Sequence, residues 1–225
     1  MSLWVKICGN TSLEDALLAA EAGADAVGFV FAPSPRRVMR DQIAAIVPGL
    51  PANLEKVGVF VDATLEEIEA TVSACGLTGV QVHAEAGSRI PGGVRKRFGA
   101  GLRILRVVHF GDSAAQLTTT IAMEPSVDAI LVDSRTASAV GGTGVAFDWG
   151  KARETIFNDQ GRTRLVVAGG LSPANVEQAI TTLRPWGVDV VSGVEAAPGR
   201  KDPTKVREFV TRARAAHGRM VGISS

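Results

Sequence analysis

The chain has 225 residues, 24 Lys and Arg against 23 Asp and Glu, and a formal net charge of +1. So even a balance argues against a nucleic-acid or membrane-surface partner, and no apolar run approaches the roughly 18–20 residues of a transmembrane helix. The opening Met1-Ser2-Leu3-Trp4, followed by Lys6, is not a secretory signal, so the expected compartment is the cytoplasm.

The first predicted strand is Trp4-Val5-Lys6-Ile7-Cys8, in which β-branched Val5 and Ile7 alternate with Lys6 and Cys8. Gly9 ends it. Ser12 is placed to cap a helix over 13–22, with Asp15 as the reciprocal partner of a capping box. A second strand over 25–31 leads into the basic loop Pro33-Ser34-Pro35-Arg36-Arg37 and a helix over 40–47. The third strand is 56–61, and Thr64-Leu65-Glu66-Glu67 opens the next helix in capping-box form. Strand four is 79–83, ending in His83, and a basic helix follows over 93–98. Strand five is 102–108 with a helix over 112–123. Strand six is 128–133, ending in Asp133. A long loop, 134–148, carries Gly141-Gly142-Thr143-Gly144 and gives way to a short helix over 149–156. Strand seven, 165–170, ends Gly169-Gly170, and Ser172-Pro173 reads as the cap and first turn of a helix. Strand eight, 188–193, ends Ser192-Gly193, and a last helix covers 202–216.

Eight strands alternating with eight helices, one unit about every 25–30 residues, imply a parallel sheet and fit a single-domain α/β fold, the (β/α)8 TIM barrel, over 1–225. The rival is an open doubly wound sheet. Against it stand the absence of G-x-G-x-x-G after the first strand and the recurrence of polar and glycine residues at nearly every strand end. Only two cysteines occur, Cys8 and Cys75. A helix from Thr64 to Cys75 spans about 16 Å, which puts Cys75 far beyond the roughly 7 Å Cα limit for a disulfide to Cys8. Both thiols are expected free, Cys75 as a packing residue.

In a barrel the carboxyl ends of all strands converge on one face. Cys8, Arg36 with Arg37, His83, Asp133 and the two glycine pairs are expected there. If Cys8 points inward, so does Lys6 one layer down, while Val5 and Ile7 face the helices. Gly169-Gly170 and Ser192-Gly193 follow strands seven and eight, the loops that often hold phosphate in barrels, because glycine lets backbone amides approach an anion. Either pair alone would be no more than a turn. Gly142 and its neighbours lack the Lys-Ser/Thr of a Walker A loop and read as a lid or a further substrate contact. A thiol and a carboxyl on opposite sides of a small ligand can serve as base and acid in a proton transfer. The competing readings are a buried small hydrophobe for Cys8 and a loop cap or partner of Arg135 for Asp133. His83 stands evenly between a substrate contact and a loop hydrogen bond. No His pair, H-E-x-x-H or Cys/His cluster suggests a metal.

Taken in order, Lys6-Ile7-Cys8-Gly9, Gly28-Phe29-Val30-Phe31 with Ser34-Pro35-Arg36-Arg37, Val57-Gly58-Val59-Phe60-Val61, Gln81-Val82-His83, Asp133-Ser134 with Gly142-Thr143-Gly144 and Phe147-Asp148-Trp149, Ala168-Gly169-Gly170-Leu171, and Ser192-Gly193-Val194-Glu195 with Lys201-Asp202 resemble the phosphoribosylanthranilate isomerase family. The match runs from the first strand to the last helix. Two departures are Ala84, where the family usually has Gly after His, and Val191, where Ser is usual. The resemblance implies an Amadori rearrangement of N-(5-phosphoribosyl)anthranilate in tryptophan biosynthesis, with no cofactor or metal. It casts Asp133 as the acid at the furanose ring oxygen, Cys8 as the base at C2 and Arg37 as the ligand of the anthranilate carboxylate. A helix N-terminus and a cationic arginine near Cys8 are expected to favour its thiolate. The remaining rivals are a ketose-phosphate epimerase, which would want metal ligands, a Schiff-base aldolase, for which Lys6 is the only inward strand lysine, and a silent phosphate-ligand binding protein. The partner expected is a small phosphorylated substrate. The expected assembly is a monomer, with near-neutral charge permitting a homodimer.

Overall fold

The computed structural model describes residues 2–85, 87–111, 113–134, 148–158 and 163–222. Eight parallel strands close on themselves in sequence order: β1 Trp4–Ile7, β2 Ala26–Val30, β3 Glu55–Val61, β4 Gly79–His83, β5 Arg103–His109, β6 Ala129–Asp133, β7 Leu165–Ala168 and β8 Gly187–Val190. The helices are α1 Leu13–Glu21, α2 Arg40–Ile46, α3 Leu65–Cys75, α4 Ile90–Phe98, α5 Ala114–Ala122, α6 Trp149–Thr155, α7 Val176–Leu183 and α8 Pro203–Met220. The open-sheet rival is excluded by the seam, where β1 lies in register with β8 from Trp4 opposite Gly187 to Ile7 opposite Val190.

Strand alternation divides the apolar residues into two separate clusters. Val5, Ile7, Val27, Phe29, Val80, Val82, Ile104, Val108, Ile130, Val132, Val167 and Val188 pack outward against the helices. Trp4, Ala26, Val57, Leu105, Val107, Leu131, Val166 and Ala168 fill the barrel interior. The bottom of the barrel is closed by Trp4 stacked on Trp186 at 5.2 Å, with Arg103 and Arg164 over the Trp186 ring. Lys6, Gln81, Asp133 and Asp189 fall on the inward side of their strands, so the interior becomes polar towards the carboxyl face.

Local signals explain most boundaries. Thr64 and Glu67 form the expected reciprocal capping box of α3, and Gly76 ends that helix in the left-handed conformation. Ser12 caps α1 by accepting from the Asp15 N–H at 3.1 Å, but Asp15 does not complete a capping box; its carboxylate accepts the Lys201 N–H instead, at 3.2 Å. Ser172 and Pro173 do not begin α7. They form a turn before it, and Asn175 occupies the N-cap, its amide accepting from the Ser172 N–H and donating to the Gly170 carbonyl. A short antiparallel hairpin, β9 Glu195–Ala197 with β10 Arg200–Lys201, lies between β8 and α8 and has no counterpart in the strand pattern of the sequence. Both cysteines are free, and Cys75 is buried with its thiol donating to the Arg40 carbonyl. No helix among the described residues is long and apolar enough to cross a membrane.

Candidate active site

Cys8 follows β1 directly. Its N–H donates to the Val190 carbonyl at 2.9 Å and its carbonyl accepts from Lys201 Nζ at 2.6 Å, so the backbone is fixed across the barrel seam by the last unit of the chain. The side chain is 3% exposed. Gly28 on β2 makes the space: a Cβ there would stand 2.4 Å from Cys8 Sγ and 3.0 Å from Lys6 Cε. The same contact places the thiol and the Lys6 side chain side by side on the inner wall. The expectation of a thiol already biased to its anion is corrected here. Burial pushes the Cys8 thiol up, Asp189 adds to this, and Lys6 and Lys201 oppose it without prevailing.

The arginine nearest the thiol does not act freely. Arg36 makes a bidentate pair with Glu195, Nε to Oε1 at 2.8 Å and Nη2 to Oε2 at 2.6 Å, and Glu195 also receives Lys201 Nζ at 3.4 Å. The Glu195 carboxyl is buried, which raises it, but Arg36 and Lys201 together hold it below the ordinary range. Arg37, the residue expected to meet the anthranilate carboxylate, lies at the carboxyl end of β2, bridged to Val30, with its side chain exposed and in no ion pair among the described residues. It is thus available to an incoming anion.

Across the barrel, Asp133 ends β6 and is 3% exposed. Its register neighbours are His109 and Ala168, and its carbonyl accepts from the Phe110 N–H. The carboxyl lies against the β7 loop: a Cβ at Gly169 would meet Asp133 Oδ1 at 2.5 Å and Ser134 Oγ at 2.1 Å. Gly169 and Gly170 have φ of +81° and +66°, which admits glycine far more readily than any other residue. Ser192–Val194 forms one 3₁₀ turn after β8, and Gly193 presses on the β7 loop, where a Cβ would stand 1.9 Å from the Leu171 carbonyl oxygen. The two glycine pairs are therefore brought together, as the sequence predicts. Among the described residues none of the four N–H groups donates to a turn or loop carbonyl, so they remain for an anion.

His83 ends β4 half-buried, with Nε2 3.4 Å from Gln81 Nε2 and its ring 5.7 Å from that of His109. Gly142 and Arg135 lie outside the described residues. Sequence reasoning missed four participants: His109, Gln81, Asp189 and Glu195. The signal for Gln81 and Asp189 was present, since each is a lone polar residue between valines on a strand and shares the inward parity of a candidate residue. Lys6 is ion-paired to Asp189 at 2.8 Å and fully buried, which removes the aldolase reading of that amine.

This arrangement offers a thiol and a carboxyl from opposite walls of one rim, a cluster of amides for an oxyanion beside the carboxyl, and an unengaged guanidinium. Comparisons with known proteins agree. The family model described as N-(5'-phosphoribosyl)anthranilate (PRA) isomerase matches residues 5–212. The N-(5'-phosphoribosyl)anthranilate isomerase of Geobacter sp. strain M21 is 46% identical over 211 residues, 93% of this chain and 97% of that one. A phosphoribosyl anthranilate isomerase solved in complex with reduced 1-(o-carboxyphenylamino)-1-deoxyribulose 5-phosphate superposes with a TM-score of 0.78 at 35% identity, covering 95% of this chain and 99% of the other. Engineered monomers of the dimeric Thermotoga maritima enzyme give 0.77 at 36% identity with the same coverage. With matching motifs, a closed barrel and a family match from residue 5 to residue 212, this chain belongs to the N-(5'-phosphoribosyl)anthranilate isomerase family.

Proposed function

We infer that this chain catalyses the Amadori rearrangement of N-(5'-phosphoribosyl)anthranilate to 1-(2-carboxyphenylamino)-1-deoxy-D-ribulose 5-phosphate, a step of tryptophan biosynthesis carried out in the cytoplasm without a cofactor. Family membership supports the reaction. The observation that carries the mechanism is the placement of Cys8 and Asp133 on opposite walls of the rim, with the glycine loops touching Asp133. Asp133 gives a proton to the furanose ring oxygen, and the C1–O bond breaks as the anilino nitrogen supplies its lone pair, leaving a Schiff base. The Cys8 thiolate then takes the proton at C2, and the released electron pair forms the enolamine. Protonation at C1 with loss of the C2 hydroxyl proton yields the ketone, so the sequence is proton-neutral.

In this reading the amides of Gly169, Gly170, Ser192 and Gly193 hold the phosphate, Arg37 pairs with the anthranilate carboxylate, and His83 and Gly142 contact the substrate. Burial of the thiol makes its anion the minor form near neutrality, and contact with the cationic groups around it is what keeps that form within reach. Turnover of fluorescent phosphoribosylanthranilate by the purified protein is the deciding assay. Loss of fluorescence with product formation is expected, and a folded protein without turnover ends the reading in favour of a silent binding protein. The active form proposed is a monomer. Sedimentation at micromolar concentration is expected to give a single species of 23.4 kDa, and a dimer there overturns that assignment.

A further inference from the structure

We propose that Lys6 is a positioning residue for this reaction, its buried ammonium being the counter-charge of the Cys8 thiolate. The proposal rests on the reading of Cys8 as the base. Lys6 is fully buried, and its Nζ donates to Gln81 Oε1 and to Asp189 Oδ1, both at 2.8 Å. An ammonium has three N–H groups, so one remains. The thiol stands beside it, since a single point on the Gly28 Cα is crowded by Cys8 Sγ and Lys6 Cε together.

The charged groups around Cys8 are Lys6 on β1, Asp189 on β8, Lys201 on β10 and Arg36 in the loop after β2, the last two both paired to Glu195 on β9. Arg36 is held on Glu195 by a bidentate pair that takes two of its five N–H groups. Lys201 is spent, for its Nζ reaches three oxygens: the Cys8 carbonyl, the Val191 carbonyl and Glu195. Of the two lysines, Lys6 keeps a donor without an oxygen partner and Lys201 does not. Burial pushes both lysines down, yet Asp189 and the thiol outweigh it at Lys6, whereas at Lys201 burial prevails.

The cluster also reaches the substrate face. Because Gln81 gives its carbonyl oxygen to Lys6, its NH2 faces His83 Nε2, which must then accept. A charge lost at Lys6 would be felt at both Cys8 and His83.

The test is a spectroscopic titration of Cys8 by the ultraviolet absorbance of its thiolate, taking the Cys8→Ser titration as the blank. Tyrosinate does not interfere, because the chain has no Tyr. In Lys6→Met combined with Asp189→Asn, which avoids an orphaned carboxylate, the midpoint should rise by about one pH unit or more, and kcat/KM at fixed pH below it should fall about tenfold. Asp189→Asn alone keeps an oxygen for Lys6 and removes the opposing charge, so its midpoint should fall; this variant decides the matter if the double one does not fold. An unmoved midpoint in the folded double variant, or an unmoved or raised one in Asp189→Asn, overturns the proposal. A midpoint that moves while kcat/KM does not follow upholds Lys6 as the thiolate's partner and overturns Cys8 as the base.

Discussion

At the scale of single residues, the proposed chemistry depends on two side chains whose burial is nearly complete. Cys8→Ser should fold, because a hydroxyl fits the space beside Gly28, but kcat should drop by at least about 10²-fold, since a serine hydroxyl supplies no anion near neutral pH. Asp133→Asn should show a comparable loss, for an amide is not a useful acid. KM should move much less in both, as neither group holds the phosphate or the carboxylate; steady-state kinetics with circular dichroism on the same samples checks this. The raised thiol also sets a pH dependence. Activity requires the deprotonated form, so kcat/KM should climb with pH, with an acid limb lying above the ordinary thiol range. A limb at the carboxylate range instead would remove the thiolate from the mechanism. Cys8, Asp133 and Arg37 were legible in the sequence because strand parity and strand ends put them on one rim. The electrostatic setting of Cys8 was not, because Asp189 and Lys201 lie far along the chain and meet the thiol only through barrel closure.

At the scale of elements, strands one to seven were read to within a residue or two, since β-branched alternation is a strong local signal, whereas the eighth was carried three residues too far, into the 3₁₀ turn at Ser192–Val194. The hairpin of β9 and β10 escaped because three and two residues carry no period, and Glu195 and Lys201 look like surface charges until folded. The α7 start was misplaced because Ser172-Pro173 satisfies the same cap rules as the Asn175 that wins by bonding both Ser172 and Gly170. The glycine loops carry two predictions. Gly169→Ala puts a side chain where φ is +81° and against Asp133, so it should cost about 1–2 kcal/mol in stability and lower kcat by displacing the acid. Denaturant melts and kinetics separate the two effects. Gly193→Val would drive a branched side chain into the Leu171 carbonyl oxygen, so a raised KM should arrive together with a lowered Tm. A cleaner probe of the phosphate cradle is inorganic phosphate, expected to compete with substrate and to raise the Tm of the unaltered protein.

At the scale of the whole molecule, strand alternation gives each strand two buried sides, and it is closure of β1 on β8 that turns one of them into a separate interior core. The seam between the first and last units adds charge pairs to its backbone ladder. Glu195 is held below the ordinary carboxylate range, so the stability it contributes is present above its unfolded pKa and is lost as pH falls through the lower folded value. Glu195→Gln should therefore cost about 3 kcal/mol near neutrality, and the difference from the parent should shrink in acid melts. A constant difference at all pH values would assign the loss to packing instead. That seam also orders events in time. Lys6 and Asp189 are 183 residues apart, which at about 5–20 residues per second is roughly 10–40 s of synthesis. Throughout that interval a growing chain carries Cys8 and Lys6 without the late strands that bury them, so the sulfur is an ordinary reactive thiol. Once the last strand docks, the sulfur is sealed. Peroxide should therefore inactivate nascent or refolding protein far more readily than the finished enzyme, and the risk to Cys8 is concentrated in the moments before the barrel shuts.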